Sequence, residues 1–192
     1  YHNQYKILSS KIIIMRSGPM DKEKLLDMFY KRRSIREFQA NAMITDDQME
    51  TVLRAAMQAP SANNRQTWHF IVVDDRDKMD KITKVHAYSS MLKTAAACIV
   101  VVGETPAEGG SAYWQQDCAA ATENMLLAIA NLGLGGVWLG VYPREERVKG
   151  IKEIFNIPDD KTPLCIVAIG VPAEKKQKED RFDPAKIYKN SM

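Results

Sequence analysis

The sequence predicts a three-layer α/β/α arrangement of the α+β class, and three observations predict it. Short runs rich in β-branched residues recur as "WHFIVV", "ACIVVVG", "VWLGVY" and "PLCIVAIGV", and strands apolar on both faces need cover on both. Segments of helical spacing separate these runs and can supply that cover. Hydrophobic residues make up 45% of the 192 and charged ones 27%, ordinary values for one domain able to bury roughly 70% of its unfolded surface.

The elements follow in order. "DKEKLLDMFYK" (21–31) sets Leu25, Met28 and Phe29 on one helical face. A helix over 45–59 takes Thr45 as its N-cap, Asp46 and Asp47 in its first turn, and Met49, Val52, Leu53 and Ala56 as its apolar stripe. Pro60 stops it. A buried strand at 68–75 precedes short helices near 76–83 and 88–95, and a second strand occupies 97–103. The longest periodic segment, 112–132, would run roughly 30 Å as a helix. Its alanines on several sides imply packing on more than one face, and "GLGG" ends it with a glycine cap. A strand at 137–142, a helix at 144–155 and a strand at 163–171 complete the domain. The polar tail, 172–192, has no period and is expected to lie over a partner surface or to be disordered.

Composition excludes several functions. A formal net charge of +3 is too small to argue for nucleic acid, and no window nears the roughly 20 apolar residues of a membrane helix. Cys98, Cys118 and Cys165 are widely spaced in apolar settings, which predicts inert, reduced thiols and a cytoplasmic protein. No Cys/His spacing suits zinc. The opening 19 residues begin with Tyr and lack a secretory signal's apolar core; they are expected to form an extension, disordered or partner-bound, ahead of a single domain from 20 to 192. The glycines of "GLGLGG" follow a helix and precede a strand, the reverse of a dinucleotide fingerprint.

Three segments remain. "RRSIREF" (32–38) gathers Arg32, Arg33 and Arg36 around Ser34. A solvated basic face is the plain alternative, but guanidinium groups also bind phosphate oxygens in bidentate fashion. "APSANNRQTWHF" (59–70) crowds hydroxyl and amide side chains into one turn, and "WLG" (138–140) ends on a glycine that admits close backbone approach. Together they suit a ligand with a phosphate, a polar chain and a flat acceptor-rich ring, the shape of flavin mononucleotide (FMN).

Over 22–183 the chain resembles the nitroreductase family of FMN-dependent NAD(P)H oxidoreductases. "RRSIREF" is similar to its Arg-x-Ser-x-Arg/Lys motif, "APSANNRQTW" to its Pro-Ser-x-x-Asn-x-Gln-Pro-Trp loop, and "NLGLGGVWLG" to its glycine segment beneath the flavin. The resemblance implies a central mixed sheet of four or five strands in an intertwined homodimer, with the 112–132 helix along the interface, the tail crossing to the partner and FMN held between the chains. It implies Arg32 on the phosphate with Arg33 adjacent, Ser34 on the ribityl chain, and Arg36 at the pyrimidine edge. It places Pro60, Ser61, Ala62, Asn64 and Gln66 on the flavin from the other subunit, Leu139 and Gly140 against the ring with a backbone N–H near N5, and Lys178 and Arg181 on the phosphate. Thr67 departs from the family's proline, which is expected to loosen the loop slightly.

The implied activity is ping-pong transfer of hydride from NADH or NADPH to a small acceptor such as a nitroaromatic or quinone, with no protein acid or base; His69 is expected to be structural. Two alternatives keep the flavin: a dehalogenase-like or flavin-remodelling enzyme, which the short 104–111 loop disfavours, and a flavin-binding sensor or redox partner.

Overall fold

The computed structural model describes residues 21–106 and 111–192. The expected N-terminal extension (1–19) and the middle of the 104–111 loop lie outside the described residues. Helices α1 (Lys22–Tyr30) and α2 (Asp46–Met57) come first, then β1 (Trp68–Val73), α3 (Arg76–Val85), β2 (Ala97–Glu104), α4 (Trp114–Asn131), β3 (Gly135–Gly140), α5 (Glu145–Phe155) and β4 (Lys161–Gly170).

Local chemistry sets the ends of these elements. Thr45 caps α2 in a reciprocal box, its hydroxyl accepting from the Gln48 N–H while the Gln48 side chain accepts from the Thr45 N–H. Asp75 accepts from the Lys78 N–H at the start of α3. At the end of α4, Gly133 takes φ +76°, Leu134 N–H donates to Ile129 O at 3.0 Å and Gly133 N–H to Ala130 O at 3.2 Å, the paired bonds of a glycine cap. The helix expected over 88–95 is a single 3₁₀ turn, Ser90–Lys93, closed by Leu92 N–H to Ser89 O. β3 begins earlier than the sequence indicated because Gly135 and Gly136 are strand residues: a Cβ on Gly135 would lie 2.7 Å from Ile35 Cγ2, and one on Gly136 3.1 Å from Ile129 Cγ2.

The four strands lie in the order β1-β2-β4-β3. Every ladder pair is antiparallel; the parallel pairing is an isolated bridge between Ser34 and Gly136 on β3. Strand alternation sorts the core into two layers. Cys98, Val100, Val102, Ile166 and Ala168 face α3 and α5, together with Met79, Ile82 and Ile151. Ala97, Ile99, Val101, Cys165, Val167 and Ile169 face α2 and α4, with Val52, Cys118, Met125 and Ile129. Among the described residues no helix is long and apolar enough to cross a membrane.

All three cysteines are buried and unpaired. Burial pushes the thiols of Cys98, Cys118 and Cys165 up to about 12, where the thiolate nucleophile is scarce at neutral pH. Titration with an aromatic disulfide reagent at pH 8 is therefore expected to label none of them in the native state and all of them in denaturant; rapid native labelling would contradict this core.

Candidate functional site

β3 is an edge strand, so half of its amide groups face away from the ladder. Val141 N–H donates to Leu164 O on the ladder side, and Ile35 N–H donates to Gly136 O on the other, both within 3.1 Å. The alternation therefore turns the amides of Gly136, Trp138 and Gly140 outward. Gly140 O accepts from His86 Nε2 at 2.9 Å and from Arg147 Nη1 at 2.9 Å, which leaves the Gly140 N–H as the outward donor at this end. His86 is buried; that burial, reinforced by the charge of Arg147, holds its imidazole below the usual range. Its Nδ1 accepts from the Tyr88 N–H at 3.3 Å, fixing a neutral ring with its proton on Nε2. A Cβ built on Gly140 would meet nothing within 4 Å, so the space above this amide is open. The Leu139 side chain is only 4% exposed and packs with Val137 in the layer under α3 and α5, so at residue 139 it is the backbone, not the side chain, that borders the open strand edge.

The arginine segment lies at the opposite end of β3, roughly 13 Å away along the strand at ~3.3 Å per residue. The tail docks on it. Ala173 N–H donates to Glu37 O at 2.8 Å, Glu174 accepts from the Arg36 N–H at 2.6 Å, and Lys176 Nζ donates to Ser34 O at 2.7 Å. The Arg36 N–H bond holds the Glu174 carboxyl below the ordinary range. Arg32 pairs with Glu123 at 3.6 Å, and Arg33 and Arg181 share Glu179 at 3.1 and 2.5 Å. Lys178 pairs with Asp27. Arg36 is exposed and forms no ion pair among the described residues. A cavity of about 330 Å³ opens beside the segment, lined by Arg33, Ile35, Ile129, Gly136, Glu174 and Lys176 among others.

The 60–66 loop is tightly built. Asn63, Asn64 and Gln66 all take positive φ, between 51° and 54°, a left-handed cluster that persists only where the surroundings enforce it. Ser61 Oγ accepts from the Gln66 N–H at 2.9 Å, and Gln66 Nε2 donates to Asn64 Oδ1 at 3.1 Å. The enforcing group is Asp117 on α4, 4% exposed. Its Oδ1 accepts from the Ala62 N–H at 2.9 Å and its Oδ2 from the Thr67 hydroxyl at 3.1 Å. Thr67 therefore ties the loop down, where its departure from proline was expected to loosen it. Pro60, Ser61 and Ala62 border a cavity of about 360 Å³ with Tyr113, Gln116 and Ala120.

One chain brings Arg32, Arg33, Ser34, Arg36, Lys178 and Arg181 into one neighbourhood. It does not bring the 60–66 loop there. The loop is anchored at Asp117, near the start of α4, whereas Ile129 near its end lines the arginine cavity; about 18 Å of helix separates them. His69 is exposed and pairs with Glu104 at 2.8 Å, so the expectation of a structural role amounts to one surface contact. Sequence reasoning missed Asp117, Glu179 and Arg147. An aspartate amid the alanines of a helix, with two residues separating it from the nearest aromatic, was the only sign of the first.

The family model described as "Nitroreductase family" matches residues 30–171. A protein of Archaeoglobus fulgidus, provisionally named NADH dehydrogenase/NAD(P)H nitroreductase, is 46% identical over 172 residues, covering 87% of this chain and 98% of that protein. The crystal structure of a similarly named protein from Bacteroides thetaiotaomicron superposes with a TM-score of 0.83 at 36% identity, covering 88% of this chain and 98% of the other. An FMN-dependent nitroreductase from Clostridium difficile R20291 gives 0.81 at 28% identity, covering 87% and 99%.

Proposed function

This chain belongs to the nitroreductase family, and on that footing we propose that it is an FMN-dependent oxidoreductase that takes hydride from NADH or NADPH and passes it to a small acceptor, a nitroaromatic or quinone. The observation that carries the reading is the open edge of β3: an outward Gly140 N–H with empty space above it, on the same strand as the arginine segment bridged to Gly136. Those residues fit a flat, phosphate-bearing group. FMN, when bound there, supplies an N5 position that accepts and returns hydride.

The chain's own residues bind and orient. Arg32, Arg33, Lys178 and Arg181 hold the phosphate, and Ser34 lies beside the ribityl chain. Arg36, free of acid partners among the described residues, stabilises negative charge at the pyrimidine edge. The Gly140 N–H donates to the ring, its peptide held by His86 and Arg147. Pro60, Ser61, Ala62, Asn64 and Gln66 reach the ring from a second copy, because α4 keeps them away from the arginines of their own chain. The pair is a homodimer with α4 along its interface. Its formation would also cover the apolar tail residues Phe182 and Ile187, which are 73% and 62% exposed in the single chain.

An anaerobic visible spectrum of the purified protein tests the reading. A flavin band that bleaches on adding NADH or NADPH supports it and names the donor. A band that survives both reductants overturns the enzyme in favour of a sensor, and a protein that neither carries nor takes up FMN overturns the flavin site.

A further inference from the structure

We propose that Glu179 is an internal competitor for the phosphate site, setting how strongly the chain prefers a phosphorylated flavin over one without phosphate. The inference rests on the flavin reading above. Its carboxylate receives Nη2 of Arg33 at 3.1 Å and Nη2 of Arg181 at 2.5 Å. Two guanidinium groups converging on one anionic oxygen is the arrangement a phosphate also seeks, so the acid occupies the place its ligand would take. Other cations of this neighbourhood are matched in the same way, Arg32 by Glu123, and Lys178 together with Lys31 by Asp27, but among the described residues it is Glu179 that draws two arginines onto one carboxylate oxygen.

The alternative role is a clasp holding the tail in place. The tail, however, is held at points that do not use Glu179: Ala173 on Glu37, Glu174 on the amides of Arg36 and Glu37, and Lys176 on Ser34. Removing the charge of Glu179 therefore leaves Arg181 without its acid and Arg33 held only by the bond from its Nη1 to the Gln177 carbonyl, with the tail still docked. Both pairs are partly solvent-exposed, their side chains ranging from 24% to 57%, so each is weak and a phosphate dianion can displace the acid.

The test compares full-length wild type, Glu179→Gln and Glu123→Gln, each stripped of flavin, by fluorescence titration with FMN and with riboflavin at low ionic strength. Glu179→Gln is expected to bind FMN about fivefold more tightly and riboflavin within twofold of wild type. Glu123→Gln, which frees only Arg32, should gain less. Unchanged or weaker FMN binding by Glu179→Gln overturns the competitor role, weaker binding being what a clasp predicts. An equal gain for riboflavin also overturns it, since the effect would then not pass through phosphate. If wild type binds neither flavin, the flavin reading fails, and this inference fails with it.

Discussion

Asp117→Ala is expected to cost the protein both stability and flavin. The carboxylate is buried and accepts from the Ala62 N–H and the Thr67 hydroxyl. Deleting it leaves two donors unmatched, at ~1–3 kcal/mol for each buried group. For a domain of this size, in which each kcal/mol moves the unfolding midpoint by about 2–4 °C, a fall of roughly 10 °C follows. The ligand effect has a separate origin. Three non-glycine residues between 63 and 66 sit at positive φ, and the two bonds to Asp117 tie that loop to the rigid helix α4. Released, the loop relaxes toward ordinary backbone, and the flavin site proposed between two copies would lose one wall. FMN affinity should drop at least about tenfold, which is ~1.4 kcal/mol. Asp117→Asn supplies the control: one oxygen still accepts from the Ala62 N–H, and the Thr67 hydroxyl can turn to accept from the new amide, so most of both properties should return. Thermal denaturation and FMN titration of the two variants check this, and an alanine variant with wild-type affinity would remove Asp117 from the site.

How much of this was legible beforehand depends on how local each signal is. α2 was readable at both ends because Thr45, the acidic first turn and Pro60 act within a few residues of one another. β2 and β4 were readable because strands central to the sheet must be apolar on both faces. The tail was not. Its lysines and glutamates have no period, and what orders residues 173–178 is hydrogen bonding to a segment more than 130 positions earlier in the chain. The arginines were correctly singled out as a cluster, yet nothing in "RRSIREF" reveals that Glu123 and Glu179 fold back to neutralise two of them. Asp117 was invisible for a related reason: an acid in a helix reads as solvated until the fold shows that the loop has come to it. Strand order and direction, set by how the crossovers pack, also lay beyond the pattern.

Gly140→Val separates ligand binding from folding most sharply. In the single chain a Cβ at this position meets nothing within 4 Å, and the edge strand accepts a β-branched residue readily, so the unfolding midpoint should stay within a few degrees of wild type. The added methyls would project into the open space beside the outward amide, where the flavin ring is proposed to lie. Overpacking a filled site of that kind costs about 1–3 kcal/mol, a loss of roughly five- to 150-fold in FMN affinity. Gly135→Ala inverts the pattern. Its Cβ would stand 2.7 Å from Ile35 Cγ2 and 3.2 Å from a Phe38 ring carbon, so it should destabilise the fold and disturb the bridge that seats Ser34, with any loss of flavin following from that damage. Measuring midpoint and FMN affinity for both variants sets the two effects against each other. If Gly140→Val binds FMN as wild type does, the ring does not lie over this strand end, and the outward N–H of residue 140 serves some other group.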